Sequence, residues 1–137
     1  MSSSRSEDDA ARRERRLAPG PEAPSEARRT IGAWLGAVLA EERLYEAQLL
    51  TSELVTNAVR HAELGEEPWI EIVTSVSGDA VVVEVLDSSP GYDPGPPRDL
   101  PAPAGTGGHG LYLLNRLADE WGFGPEGKSR IWFRIDR

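Results

Sequence analysis

The sequence predicts an α+β fold, a two-layer sandwich with a mixed, mostly antiparallel sheet and helices on one face. Three observations carry this. Two segments near the start repeat apolar residues at helical spacing. Two β-branched runs, Trp69 to Val76 and Ala80 to Leu86, are joined by only Ser77-Gly78-Asp79, a hairpin signal that implies antiparallel pairing. A further apolar helix and a terminal strand follow a long Pro/Gly segment, giving the order helix, helix, strand, strand, loop, helix, strand.

The elements follow in chain order. Residues 1–24 form a disordered or weakly ordered segment, because Ser2 to Ser6, the charge-mixed Glu7 to Arg16 and the cluster Pro19 to Pro24 lack periodicity. Within it, Arg15-Arg16-Leu17-Ala18 is readable as a short edge strand. The domain then occupies residues 25–137. Ser25 is the expected N-cap of the first helix. Ile31, Trp34, Leu35, Val38 and Leu39 form its apolar stripe, and Gly32 and Gly36 suggest close packing against a neighbour. The second helix spans about Tyr45 to Ala62, with Ser52, Thr56, Arg60 and Glu63 on its hydrophilic back. The two hairpin strands come next. Residues 90–110 hold six prolines and six glycines, a density no regular element survives. The last helix starts after Gly110 with Leu111, Leu114, Leu117, Ala118 and Trp121 on one face. Trp121 to Phe123 is a candidate short strand, and Arg130 to Ile135 closes the chain as another.

Composition excludes several function classes. The 137 residues carry 15 basic and 23 acidic side chains, a net charge of −8. Residues 1–29 are near balance at +1, whereas residues 30–137 carry −9. A domain this acidic is a poor binder of a nucleic-acid backbone. No cysteine is present, which removes disulfides, thiolate metal sites and a cysteine nucleophile. No apolar stretch approaches the roughly 18 residues of a spanning helix, and Met1 to Arg16 lacks a signal-peptide core. A cytoplasmic protein without membrane or nucleic-acid contact is the expectation.

Three constellations carry candidate chemistry. Glu53, Asn57 and His61 lie at i, i+4, i+8 on the second helix, in the arc shared with Leu49, Leu50 and Leu54. A carboxylate there is costly to bury alone. It either reaches a rim salt bridge or, with the amide one turn on, faces a pocket where Asn offers a hard oxygen ligand and Glu accepts a proton. Asp87 ends the most apolar strand and enters Ser88-Ser89-Pro90-Gly91, either as an Asx-type turn or as an acceptor for a ligand donor. Gly105-Thr106-Gly107-Gly108-His109-Gly110-Leu111 opens onto a helix, whose free N–H groups and dipole favour phosphate. It lacks the Gly-Lys-Ser/Thr of a P-loop.

Order and spacing make these signals specific. Ser52-Glu53-Leu54-Val55-Thr56-Asn57-Ala58-Val59-Arg60-His61-Ala62 resembles the N box of the small anti-sigma-factor serine kinase branch of the histidine-kinase-like ATP-binding fold. Asp87 to Gly91 is similar to its first glycine box and Gly108-His109-Gly110-Leu111 to its second. The resemblance covers about residues 25–135. It departs at the first glycine box, where Ser89 replaces the first glycine and Pro90 stands beside it.

The resemblance implies an ATP-dependent serine/threonine kinase that binds a sigma factor or similar regulatory protein and phosphorylates an antagonist protein. It implies ATP and Mg²⁺ as cofactors, and a homodimer. Asn57 then ligates Mg²⁺, Glu53 is the general base, Asp87 meets the adenine amino group, and Gly91 lets the chain pass close to the base. Gly108, His109, Gly110 and Leu111 form the phosphate-binding helix start, with residues 92–107 as a lid. His61 and Lys128 lie close to these motifs without an assigned role. Ser89 and Pro90 leave a second reading, a catalytically weak or inactive nucleotide-binding partner-switch module. A structural domain without nucleotide is the third.

Overall fold

A computed structural model describes residues 11–62, 67–88, 109–124 and 129–137, with backbone only for residues 61, 62, 109 and 110. In chain order the elements are β1 (Arg12–Leu17), α1 (Ala23–Leu35), α2 (Glu41–Ala62), β2 (Ile70–Ser77), β3 (Ala80–Asp87), α3 (His109–Leu117), β4 (Glu120–Phe123) and β5 (Ser129–Asp136). The strands form one sheet in the order β1-β2-β3-β5-β4. Expected to be mixed but mostly antiparallel, it is antiparallel in every described pairing. The α+β sandwich stands.

Strand alternation builds the core. Val81, Val83 and Val85 of β3 and Ile131, Phe133 and Ile135 of β5 are buried, with half-buried residues between them. They pack with Ile70 and Ile72 of β2, Ile31 and Leu35 of α1, Leu50, Leu54 and Val55 of α2, and Leu111 and Leu114 of α3. Each such side chain contributes about 1.5–3 kcal/mol when taken from water. The core therefore fixes which sheet face the helices cover.

β1 lies inside the segment expected to be weakly ordered, and it extends beyond the Arg15 to Ala18 strand. Five of its six residues are exposed, so periodicity could not reveal it. Cross-strand charge holds it instead. Arg12 reaches Glu84 at 3.9 Å and Arg16 reaches Glu71 at 3.6 Å. Arg15 donates to Thr30 Oγ1 at 2.7 Å, fastening β1 to α1.

Ser25 is not the N-cap of α1. The helix begins two residues earlier, with Glu22 at the cap and a proline in the first turn. Pro24 suits that turn because its fixed φ is helical and its missing N–H has no helical partner there. The Ser25 hydroxyl instead donates to the Glu22 carbonyl at 3.1 Å. α1 stops at Leu35, so Val38 and Leu39 reach the core from a turn rather than a helix. Gly32 meets the expectation of close packing: a Cβ there would lie 2.9 Å from Gln48 Nε2 of α2. α2 begins at Glu41, four residues before the expected Tyr45. Trp121, assigned by spacing to the last helix, lies in β4, edge-to-face with Phe123.

The β2–β3 connection is the expected hairpin. Ser77 pairs with Ala80, and Gly78 adopts φ 56° between them. A glycine at the first of two turn positions matches the right-handed twist of the flanking strands.

Candidate functional site

The clamped corner of the fold orients everything else. Arg43, in the first turns of α2, donates to the Asp136 carbonyl of β5 at 3.2 Å and to Glu46 at 2.7 Å, and also pairs with Asp119. Asp119 follows α3 and accepts from the Asp136 N–H at 2.8 Å. Arg137 adds bonds to the Val38 and Gly78 carbonyls. Burial opposes the charge of Arg43, but the Glu46 and Asp119 carboxylates outweigh it and raise its pKa above the ordinary value.

With α2 starting at this corner, where β3 begins and β5 ends, its 22 residues extend across the sheet by about 33 Å. The second half of α2 therefore runs toward the opposite end, where β3 finishes at Asp87 and β5 starts at Ser129. α3 ends at the clamped corner, so its first residues point away from it.

On α2 the buried stripe is Ala47, Leu50, Thr51, Leu54, Val55 and Ala58. Glu53 and Asn57 are half-buried along its flank, one turn apart, in line with half-buried Leu49. Neighbouring hydroxyls are spent inside the helix: Thr51, Ser52 and Thr56 donate to the carbonyls of Ala47, Leu49 and Ser52. The flank thus presents a carboxylate and an amide of different chemistry at adjacent turns. Mg²⁺ is commonly held by one or two protein oxygens plus substrate phosphates. Asn57 fits that pattern, since among the described residues no group of three acidic or histidine side chains could hold a metal ion.

Asp87 is 8% exposed and stands on the same face as Val81, Val83 and Val85, at the end of their row. It is therefore the polar terminus of an apolar row, not a surface turn residue. Directly across the ladder is Ser129, also buried, whose hydroxyl donates to Asp87 Oδ2 at 3.1 Å. Sequence reasoning passed over Ser129 because its partner is 42 positions away. The signal that finds it is the register of β3 against β5.

Leu111 is buried on α3 and joins the core, so it anchors the helix start by packing. His109 and Gly110 are the first two residues of α3. Gly91, Gly108 and Lys128, the 92–107 segment, Ser89 and Pro90 lie outside the described residues, as does the His61 side chain. No helix among the described residues is long and apolar enough to cross a membrane.

The end of the fold thus brings together a helix flank bearing Glu53 and Asn57 and a strand pair bearing Asp87 and Ser129. A family model, described as the histidine kinase-like ATPase domain, matches residues 17–134. No individual curated protein matches the chain at a significant level. The match spans most of the sequence, and the chain belongs to the histidine kinase-like ATPase domain family.

Proposed function

From that membership, which makes the chain an ATP-binding domain of a kind that usually works with Mg²⁺, we propose a protein serine/threonine kinase of the anti-sigma-factor type. It acts in the cytoplasm on an antagonist protein and binds a sigma factor or a similar regulatory protein, as a homodimer. The observation that carries this reading is the Glu53–Asn57 pair. A carboxylate and an amide share one half-buried helix flank that runs toward Asp87.

Each residue then has one task. The Asp87 carboxylate accepts from the adenine amino group, and Ser129 holds that carboxylate in place. Asn57 holds Mg²⁺ through its amide oxygen. Gly91, Gly108, His109, Gly110 and Leu111 frame the base and the phosphates, the helix start supplying N–H groups where negative charge gathers. ATP supplies the phosphoryl group, and Mg²⁺ offsets its charge in a domain that carries −9 over residues 30–137. Glu53 takes the proton from the attacking serine hydroxyl, a task for a carboxylate within hydrogen-bond reach.

The test is incubation with Mg-ATP and a candidate antagonist protein, read by phosphoserine formation, alongside calorimetry with ATP. Transfer that Glu53→Ala abolishes while nucleotide binding persists supports the kinase. Tight partner and nucleotide binding with no phosphoserine favours the inactive partner-switch module, the reading suggested by Ser89 and Pro90 in the first glycine box.

A further inference from the structure

Ser88, the residue after Asp87, bonds to β2 in an unusual way. In an antiparallel ladder, a hydrogen-bonded pair exchanges two backbone N–H···O=C bonds. At the Trp69–Ser88 position only one is of that kind: the Ser88 N–H donates to the Trp69 carbonyl at 3.1 Å. The return bond goes from the Trp69 N–H to the Ser88 side-chain Oγ, at 3.0 Å. The hydroxyl stands in for the Ser88 carbonyl, and the last paired position of the two strands is Ile70 with Asp87.

The Trp69 side of this contact is the fixed side. Its ring lies beneath the Arg16 guanidinium of β1, 4.5 Å from the ring centroid, and Arg16 is held to Glu71 at 3.6 Å. Ser88 is therefore where the chain is released from the sheet. Side chains alternate along a strand, so a β3 that continued would place residue 89 on the same face as Asp87, one step further on. That is the space beside the carboxylate that a base must enter.

We infer that Ser88 is a positioning residue: its hydroxyl ends the β2–β3 ladder at Asp87 and keeps that carboxylate open to an adenine ring. The inference rests on the reading that Asp87 recognises adenine. Without the hydroxyl, the Trp69 N–H takes the Ser88 carbonyl and the ladder gains a full pair. Ser88 acts only through the backbone path and does not itself touch nucleotide.

Calorimetry with Mg-ATP and with Mg-GTP, on the full chain, tests this. The variants are Ser88→Ala and the equal-shaped pair Ser88→Thr and Ser88→Val, which differ in the hydroxyl alone. Ser88→Thr should keep the wild-type preference for ATP. Ser88→Ala and Ser88→Val should lose about tenfold in ATP affinity, the scale of one hydrogen bond, with GTP binding unchanged. A loss of fold stability alone does not move the ATP/GTP ratio. If the wild type prefers ATP and Ser88→Val matches Ser88→Thr, the inference is overturned while the Asp87 reading stands. If the wild type binds ATP no better than GTP, the Asp87 reading fails and the inference falls with it.

Discussion

The two ends of the sheet are built from the same residue types to opposite purpose. At the clamped end, charged side chains are turned on each other and on backbone carbonyls: Arg43 joins α2 to β5 and to Asp119, and Arg137 reaches Val38 and Gly78. At the other end, Glu53 and Asn57 sit on a helix flank, and Asp87 closes an apolar strand row. Groups that face each other stabilise a fold, whereas groups held on a rigid scaffold toward a ligand serve function and are commonly costly to keep. The difference teaches that mutation at one end should change stability and at the other should change chemistry.

The sharpest break of that division is at Glu53. Glu53→Gln should lower phosphoryl transfer by about 10²–10⁴-fold, the usual weight of a general base. Nucleotide affinity and melting temperature should stay near wild type. A melting temperature that falls while transfer persists would place Glu53 with the clamp.

Next in size is Asn57→Ala. Affinity for Mg-ATP should drop at least about tenfold, as for removal of groups that support a metal site. Affinity measured in EDTA should move much less. Equal losses with and without Mg²⁺ would mean the amide contacts nucleotide or structure rather than metal.

How far this division was legible in the sequence depends on the kind of signal. β3 was readable because a run of β-branched residues with Val81, Val83 and Val85 inward needs no context. Glu53 and Asn57 were readable because i, i+4 spacing fixes their common face. β1 was nearly invisible: its arginines are satisfied by Glu26, Glu71 and Glu84, which lie on other elements. The start of α2 was missed because Glu41, Glu42 and Arg43 carry no apolar period, and Arg43 gains its partners only when β5 arrives. Ser129 and Ser88 were overlooked for the same reason. Their meaning comes from strand register, and a sequence read locally has none.

At the clamped end, Arg43→Ala should lower stability by about 1–2 kcal/mol, since several charge-assisted bonds are lost from a half-buried guanidinium whose surface setting reduces their worth. Thermal unfolding should show a drop of several degrees. Mg-ATP affinity should be unaffected. A change in affinity would show that the two ends are coupled through α2.

The smallest effect should come from Glu120→Gln, on the same side of the fold. Glu120 pairs with Arg134 at 2.5 Å, a distance that taken alone suggests a strong bond. Exposure argues otherwise. The Glu120 side chain is 57% exposed, so water and salt screen the pair. Arg134 also keeps Asp136 at 3.0 Å, so its charge is not stranded when Glu120 is neutralised. The expected change is below about 0.5 kcal/mol, inside the usual range for a surface pair. It should vanish in high salt, whereas most of the Arg43 effect, which includes a bond to the Asp136 backbone carbonyl, should remain. Equal losses from the two variants would mean that the clamp works through the number of its charges. Unequal losses would mean that it works through the burial and the bridging reach of one guanidinium.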